Sequence, residues 1–335
     1  MDKKNHLIRS LILFGVMLIL FCADVTFGSV PISFTDFFNN LFSESNSSIH
    51  TIVWQFRLPK AITCVLAGAS LACSGLMMQT LFRNPLVGPD VLGLTSGASL
   101  TVGMLLLTGR GMHFSSNEWT LAIAAGGGSI LVMLLMLAIT QRIKDNASLL
   151  IIGLMLAAST SSIMSVMQFV SRAEDLQFYF LWTMGNIGNT GWSEIGVLFL
   201  VVFIGVAISF FLLKPLNTWL LGENYAKSLG INVSRSRIWI VIASGLMTGA
   251  ITAFCGPIAF VGLAVPHLAR LVMQTSNHKI LLPAVLFSGS ILLLFCDFLS
   301  QLMSATQAVP LNALTSLIGA PIVIWQVMKF KKINV

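Results

Sequence analysis

The stretch KPLNTWLLGENYAKSLGINVSRSR, residues 214–237, is the longest polar interruption deep inside an otherwise apolar chain. It carries four cations and a single acid, Glu223. The runs on either side, 194–213 and 238–256, are each long enough to cross a bilayer, which takes about 20 apolar residues. This arrangement predicts an integral membrane protein in which residues 214–237 form a polar loop between two spans.

The composition of the whole chain supports a membrane location. Of its 335 residues, 56% are hydrophobic and only 9% are charged, whereas a soluble domain carries about 25% charged residues. The net charge of +7 does not indicate a nucleic-acid partner, because the cations lie at the ends of apolar runs, where the positive-inside rule places them. The cysteines lie singly within apolar runs, so we expect neither a disulfide nor a metal site.

Nine apolar runs are clear candidates for membrane-spanning helices, and the distribution of cations adds a tenth. Arg237 and Lys279 both belong on the cytoplasmic side, so the chain must cross the membrane twice between them. The second crossing, 257–273, contains two prolines, His267 and Arg270, which predicts a short, broken or partly re-entrant span covered by protein or lining a cavity. The predicted spans are 10–28, 58–79, 91–109, 119–140, 147–170, 194–213, 238–256, 257–273, 280–303 and 310–328.

These observations predict an all-α integral membrane protein, a single ten-span helical bundle over residues 1–335 with both termini in the cytoplasm. The first apolar run has cations before it but no small-residue cleavage site after it, so we interpret it as a retained span rather than a signal peptide. Residues 29–56 are expected to form an outer loop.

Two cations stand at the outer mouth of the second span, against the general charge bias. Arg57 and Lys60 are three residues apart and share one face of a helix. A single outer cation is typical of contact with lipid headgroups. Two together favour a docking patch for an acidic partner.

The fifth span carries a polar and methionine-rich stripe. Its candidate members are Ser161, Ser162, Met164, Ser165 and Gln168. Hydroxyl groups can satisfy the backbone of their own helix, so the stripe fits simple helix packing. It equally fits a wide pathway for a bulky, partly apolar solute, and the sequence leaves both interpretations open.

Ionisable residues inside predicted spans are functional candidates by default. His267 and Arg270 fall near the cytoplasmic end, which favours a structural or interfacial role. Asp297 lies deeper, in the outer half of its span. Pairing within the bundle is the favoured interpretation, and a proton path is the alternative.

The polar loop contains residues that start and end short helices. Asn217 or Thr218 is expected to cap a short turn that Gly222 ends, and a second short helix runs from Glu223 to Leu229 before Gly230 ends it. Glu223 lies at the positive N-terminus of that second helix. Tyr225 and Leu229, joined by Leu221, form an apolar ridge suited to a groove on a cytosolic partner.

Several motifs of energy-using and catalytic chains are missing from the sequence. It contains no G-x-x-x-x-G-K-[ST] phosphate-binding loop and no H-E-x-x-H or G-x-S-x-G motif. We therefore assign no catalytic residue. A transporter, or its membrane subunit, is the remaining class.

Six stretches, by their order and spacing together, carry a resemblance to a known family. They are RLPK (57–60), GASLACSGLMMQTLFRNPLVGPDVLGLTSGAS (68–99), LWTMGNIG (181–188), LNTWLLGENYAKSLGI (216–231), FVGLAVPHLARLV (260–272) and VPLNALTSLIGAPIVIW (309–325). Over nearly its whole length the chain resembles the permease subunits of type II ABC importers for iron–siderophores, haem and cobalamin, the FecCD type.

The resemblance implies a set of partners. Two permeases pair, as a homodimer or a heterodimer, in the bacterial cytoplasmic membrane. Two cytosolic ABC ATPase subunits and an extracytoplasmic substrate-binding protein join them. ATP and magnesium are then used by the partner ATPase, so this chain binds no cofactor of its own and is not an enzyme.

The resemblance also implies roles for individual residues. The coupling positions of the family match Leu220, Leu221, Gly222, Glu223, Ala226, Leu229 and Gly230, and Tyr225 joins them through its place on the ridge. The docking cations of the family match Arg57 and, conservatively, Lys60. Gln301 and Ala308 depart from outer charges found in other members, so docking rests on fewer charges or a second, different permease supplies them.

The function predicted from these observations is import of an iron–siderophore complex by alternating access. Haem and cobalamin are alternatives within the same family. An autonomous proton- or sodium-coupled transporter that uses Asp297 and His267 is the alternative from a different class.

Overall fold

The computed structural model describes residues 3–28, 48–108, 118–143, 145–303 and 309–331. Within these ranges the predicted all-α architecture is confirmed, with helices and no strand. In chain order the helices are α1 (Lys3–Thr26), α2 (Leu58–Phe82), α3 (Leu94–Leu106), α4 (Glu118–Arg142), α5 (Asn146–Val170), α6 (Ala173–Thr183), α7 (Trp192–Phe211), α8 (Leu213–Trp219), α9 (Glu223–Ser228), α10 (Val233–Cys255), α11 (Val261–Met273), α12 (His278–Met303) and α13 (Leu311–Lys331). A one-turn helix, Ser48–Thr51, and a π-helical segment, Ile52–Arg57, lead directly into α2.

Seven of these helices are long and apolar enough to cross a membrane, namely α1, α2, α4, α5, α7, α10 and α12. Three shorter apolar helices, α3, α11 and the apolar part of α13 (Leu311–Trp325), occupy the other predicted spans. Because these three are short, the count of ten crossings stays a prediction. Following the predicted topology, we call the end of the bundle that carries α8 and α9 the inner end and the opposite end the outer end.

Helix α3 is shorter than the predicted third span, 91–109. Pro89–Leu92 forms a 3-10 turn, and Gly93 after it has a left-handed φ of 76°. Helix α3 therefore begins only at Leu94. Hydropathy missed this boundary because Val91 and Leu92 are as apolar as the helix that follows them.

Helix α2 lies at the centre of the bundle and packs against α7, α10, α11 and α12. Every residue from Ser70 to Phe82 is buried. The backbones of α2 and α12 meet at Gly68 and Gly289, where a Cβ atom on either glycine would overlap the carbonyl oxygen of the other. In lipid such close packing drives the association of helices, because lipid tails are as apolar as the helices and the hydrophobic effect does not push the helices together.

The predicted broken span is confirmed. After α10 ends at Cys255, the chain continues without helix through Gly256 to Phe260, which has a left-handed φ of 66°. Helix α11 then spans only 13 residues and contains a buried proline, Pro266. The residues of the non-helical stretch are buried or half-buried in the bundle, and backbone at membrane depth is non-helical only where protein covers it or it lines a cavity.

Asn312 at the start of α13 satisfies part of that non-helical backbone. Its side-chain Oδ1 accepts a hydrogen bond of 3.1 Å from the backbone N–H of Ala259. The backbone N–H of Asn312 donates to the carbonyl of Met184. The backbone N–H of Asn186 donates to the carbonyl of Cys255 at 2.8 Å. One asparagine side chain thus ties the break to the start of the last helix.

Some sequence-based predictions fall outside the described residues. They include most of the outer loop, at 29–47. The departure at Ala308 also lies outside them.

Candidate functional site

The polar segment 214–237 folds as the predicted helix–glycine–helix. Helices α8 and α9 are separated by a turn that ends at Gly222, whose φ is 110°, and Gly230 after α9 has a φ of 77°. Both values lie in the region that favours glycine. The segment from Leu220 to Gly230, which we call the coupling segment after its predicted role, is therefore shaped by backbone geometry that its sequence specifies locally.

The predicted start of the first short helix is wrong. Helix α8 begins at Leu213, almost directly after α7, and Asn217 lies inside it rather than at its cap. The inward residues Leu216 and Trp219 are fully buried and hold α8 against the bundle. The side chain of Asn217 instead reaches His278, where its Oδ1 accepts the backbone N–H at 2.8 Å.

The coupling segment presents an apolar ridge to the outside of the bundle. Leu221 is 63% exposed, Tyr225 51% and Leu229 50%, and Leu220 is 39% exposed. Ala226, on the opposite face of α9, is fully buried. Exposed apolar side chains on a short helix whose other face is packed are typical of a surface that inserts into a partner.

Glu223 anchors α9 to the bundle. Its carboxylate lies 3.0 Å from Lys227 Nζ, one turn along α9, and 3.5 Å from Arg237 Nη2 on α10. Arg237 is only 2% exposed. Glu223 therefore connects the helix that carries the ridge to the membrane-spanning helix α10. It also stands at the N-terminus of α9.

At the outer end, both predicted docking cations also make contacts within the fold. Arg57 Nη1 donates to the carbonyl oxygens of Val25, at 3.0 Å, and Thr26, at 2.8 Å, in the last turn of α1. Lys60 Nζ lies 2.8 Å from Asp297 Oδ2 on α12. The expected pairing of Asp297 is thus observed, with a partner that the sequence had suggested for a different role.

Asp24 and Gln301 complete this outer charge cluster. Gln301 Nε2 donates to Asp24 Oδ1 and to Asp297 Oδ2, each at 2.8 Å. Sequence reasoning missed Asp24, although an acid inside an apolar run was a usable signal. Among the described residues, Asp24, Cys64 and Asp297 bring potential metal ligands within 4.8 Å of one another, but the ammonium of Lys60 already supplies positive charge there.

A cavity of about 510 Å³ opens beside this cluster. Lys60, Asp297 and Ser300 form one part of its wall, and the loop 185–190 forms another. Cys255 and Gly256, at the break before α11, also line it. The outer charge cluster and the broken span therefore meet at one cavity.

A second cavity, of about 260 Å³, lies between α3 and α5. Four of the predicted pathway residues line it, namely Ser161, Met164, Ser165 and Gln168. Ser162 does not, and its hydroxyl donates to the carbonyl of Ala158 in its own helix. We call this cavity the polar groove. The opposite wall of the groove was not predicted from the sequence. It is formed by three residues of α3, namely Thr95, Ser96 and Ser99.

The charged residues of the short helix α11 are engaged inside the bundle. Arg270 Nη1 donates to Gln79 Oε1 of α2 at 2.7 Å and lies 3.3 Å from His267 Nδ1. Gln79 Nε2 in turn donates to the carbonyl of Leu263 at 3.0 Å. These contacts tie α11 to α2, in agreement with the structural role expected for both residues.

The sequence matches the FecCD transport family over residues 16–329. The chain belongs to the FecCD transport family. It is accordingly a permease subunit of an ABC importer and not itself an enzyme. Permeases of this family work with ATPase subunits and a binding protein.

Named relatives of this FecCD-family chain are vitamin B12 import permeases. The chain is 35% identical to the vitamin B12 import system permease protein BtuC of Salmonella typhi over 279 residues, 83% of each chain. It is 34% identical to BtuC of Salmonella schwarzengrund over the same length and shares.

Two solved structures share the fold of this permease. One is a metal-chelate type ABC transporter in an inward-facing conformation, with a TM-score of 0.83, 27% identity and coverage of 97% of this chain and 99% of the other. The other is PsaBC from Streptococcus pneumoniae in complex with Fab, with a TM-score of 0.54, 14% identity and coverage of 87% and 94%. At 14% identity the second shows the fold alone.

Proposed function

We propose that this FecCD-family permease imports a bulky metal chelate, an iron–siderophore complex, by alternating access driven by two separate ATPase subunits. The observation that carries the proposal is the apolar ridge of the coupling segment. Leu221, Tyr225 and Leu229 are each at least half exposed, while Glu223 fastens the same helix to α10. A ridge that is exposed to a partner and attached to a membrane-spanning helix is suited to transmit movement of that partner to the bundle.

The ATPase is placed on another chain because this sequence has no phosphate-binding loop. ATP-driven closure of two ATPase subunits would displace α9. The displacement would reach α10 through the contact between Glu223 and Arg237. Transport then needs no covalent chemistry in this chain, only a change in which end of the bundle is open.

The polar groove supports a substrate with both polar and apolar surface. The hydroxyl groups of Ser161 and Ser165 stand beside the thioether of Met164 and the ring of Tyr179. Met side chains adapt to irregular shapes. An iron–siderophore complex combines a polar metal-binding centre with apolar spacer groups, and a solved relative of this chain is a metal-chelate type transporter.

Cobalamin is the second candidate substrate. The relatives at 35% identity are named as vitamin B12 import permeases, and cobalamin is also a bulky metal chelate. Both substrates are bulky, and the lining of the groove does not discriminate between them. Haem belongs to the same class of planar or caged metal chelates.

We also propose the rest of the assembly. Two permeases, identical or different, pair in the bacterial cytoplasmic membrane with both termini in the cytoplasm. The substrate-binding protein docks at the outer end near Arg57 and Lys60, where the local cations oppose the general charge bias. A positive charge on that face would steer an acidic partner.

Uptake into proteoliposomes tests this function. The permease would be reconstituted with its ATPase and binding protein and offered radiolabelled ferrichrome, cyanocobalamin or haemin. We expect ATP-dependent uptake of ferrichrome that stops when the Walker lysine of the ATPase is replaced and persists when the proton gradient is collapsed. Uptake of cyanocobalamin or haemin alone would overturn the siderophore assignment, and uptake that needs the proton gradient but no ATPase would overturn the importer mechanism.

A further inference from the structure

A chain of hydrogen bonds joins α8 to the inner ends of α2 and α12. Asn217 Oδ1, on α8, accepts from the backbone N–H of His278, the first residue of α12, at 2.8 Å. The same oxygen lies 3.0 Å from His278 Nδ1. On the other side of the ring, His278 Nε2 lies 2.9 Å from Thr80 Oγ1 in the last turns of α2. Three helices therefore meet at one imidazole.

Chemistry sets the hydrogen-bonding roles at Asn217 and at His278 Nδ1. The Asn217 atom that accepts a backbone N–H must be its amide oxygen, so His278 Nδ1 facing it carries the hydrogen. The neutral ring then accepts at Nε2 from the hydroxyl of Thr80, whose oxygen also lies 2.8 Å from the carbonyl oxygen of Leu76 in its own helix. Asn217 Nδ2 donates to Asn277 Oδ1 at 3.2 Å. Asn217 thereby caps the N-terminus of α12 from a different helix.

Two of the three side chains in this connection are buried, and the third, Asn217, is half-buried. His278 is only 1% exposed, and Thr80 is also 1% exposed. Buried polar groups in native proteins keep their hydrogen-bond partners, since an unpaired one loses its hydration without compensation. If α8 moved alone, it would leave the His278 ring and the first N–H group of α12 unpaired. Moving together with α2 and α12 avoids that cost.

Helices α2 and α12 are themselves held together along their whole length. Their backbones touch at Gly68 and Gly289, and nearby Ser290 Oγ donates to the carbonyl of Val65 at 2.9 Å. At the outer end Lys60 pairs with Asp297 at 2.8 Å. A displacement applied at the inner end of this pair therefore reaches the residues that line the outer cavity.

We propose that His278 is a positioning residue that transmits movement of α8 to the α2–α12 pair, and so to the outer cavity. The proposal rests on the proposed function of the coupling segment, because α8 leads directly into that segment. The Glu223–Arg237 contact links the coupling segment to α10. The His278 chain adds a second connection, to the centre of the bundle.

Three variants test the role of His278 in the reconstituted importer with its ATPase and binding protein. His278→Ala removes the ring, and Thr80→Val removes one end of the chain with nearly the same shape. Ser129→Ala is the matched control, because it removes a buried hydrogen bond between α4 and α3 that involves neither α8 nor the α2–α12 pair. The readout is the number of ATP molecules hydrolysed per molecule of radiolabelled chelate transported.

We expect His278→Ala and Thr80→Val each to raise that ratio by about threefold or more, and the double variant to be no worse than either single one. Ser129→Ala should leave the ratio unchanged. Parallel losses of transport and ATP hydrolysis, at an unchanged ratio, would show a merely structural role and overturn the proposal. Additive effects in the double variant would overturn it as well.

The same experiment separates this proposal from the proposed function. If uptake by the unaltered protein does not require the ATPase, the proposed function fails before His278 is considered. If uptake requires the ATPase and the ratio for Thr80→Val equals that of the unaltered protein, only the role of His278 fails. Thr80→Val keeps the shape of the side chain, so this outcome remains accessible if His278→Ala does not assemble.

Discussion

Lys60 Nζ lies 2.8 Å from Asp297 Oδ2 and joins the outer ends of the two central helices, α2 and α12. The carboxylate side chain is only 6% exposed and that of the lysine 22%. Gln301 binds the same carboxylate and connects it to Asp24 on α1. Three helices of the bundle are therefore held at the outer end by one group of polar side chains that also borders a cavity.

Removing one partner of this pair should destabilise the permease more than removing both. Lys60→Ala leaves the Asp297 carboxylate buried without its counter-ion, at a cost of about 3–5 kcal/mol. The double variant Lys60→Met with Asp297→Leu removes the charge and keeps the volume, so we expect it to lie within about 1 kcal/mol of the unaltered protein. Thermal unfolding in detergent measures the difference. Lys279→Ala, at an exposed lysine on α12, is the control, and an equal loss in the single and double variants would contradict the prediction.

Breaking the anchor of α9 should weaken its hold on the ATPase. Glu223→Gln removes the charge that faces the buried guanidinium of Arg237, so α9 loses its defined position and the ridge its orientation. Lys227→Ala is the matched control, because it removes only the exposed pair along α9, which contributes at most about 0.5 kcal/mol. Co-purification of the ATPase with the solubilised permease measures the effect. Equal recovery with both variants would refute the anchoring role.

Placing a charge on the ridge should prevent ATPase binding while the permease still inserts into the membrane. Tyr225→Glu would bring a carboxylate into the apolar groove expected on the partner, and we expect the affinity to fall by about tenfold or more, corresponding to about 1.4 kcal/mol. Tyr225→Phe keeps the ring and should bind normally. The Kd of the purified ATPase for the permease in nanodiscs distinguishes them. Normal binding by Tyr225→Glu would show that the ATPase binds to a different surface of the permease.

Filling the polar groove should slow transport if the groove is the pathway. Ser161→Trp places a large side chain in a space of about 260 Å³, and we expect uptake to fall by about tenfold, equivalent to about 1.4 kcal/mol in the barrier. Ser162→Trp changes the neighbouring residue, which does not line the groove, and should have little effect. Initial rates of uptake, with the amount of assembled complex measured in parallel, give the answer. Equal rates for the two variants would favour simple helix packing.

Docking of the binding protein should depend on Arg57 most strongly at low salt. Arg57→Gln removes an outer positive charge, and long-range attraction is screened within about 10 Å at about 0.1 M salt. The difference in Kd between Arg57→Gln and the unaltered permease should therefore be largest at about 0.01 M salt and shrink as salt rises. Arg57→Lys, which keeps the charge, should behave more like the unaltered protein. A difference that is constant with salt would point to the contacts of Arg57 with α1 instead of steering.

Sequence reasoning succeeded where the relevant property is local. The glycines at 222 and 230 predicted the ends of short helices, because left-handed backbone is a property of the residue itself. Prolines and charges within 257–273 predicted the break before α11, because a proline has no backbone N–H to donate inside a helix. The ridge of Tyr225 and Leu229 followed from helical spacing alone.

Sequence reasoning failed where the partner is remote in the chain. Asn217 was interpreted as a cap for its own helix, but its side chain bonds to His278, because the N-terminus of α12 packs against α8. The docking role of Lys60 stays a prediction, but the sequence did not show that its ammonium pairs with Asp297. Nothing in the local pattern around either residue distinguishes a side chain that faces a neighbouring helix from one that faces water.

The sequence by itself determined that this chain is a helical membrane permease with one broken span and a helix–glycine–helix loop. Those features depend on hydropathy, charge bias and backbone preferences, which each segment carries independently. Only the tertiary structure decided which polar groups neutralise one another and which of them line a cavity. Such pairings depend on how the helices are rotated and staggered against each other, and that geometry arises from packing, most closely at Gly68 and Gly289 between α2 and α12.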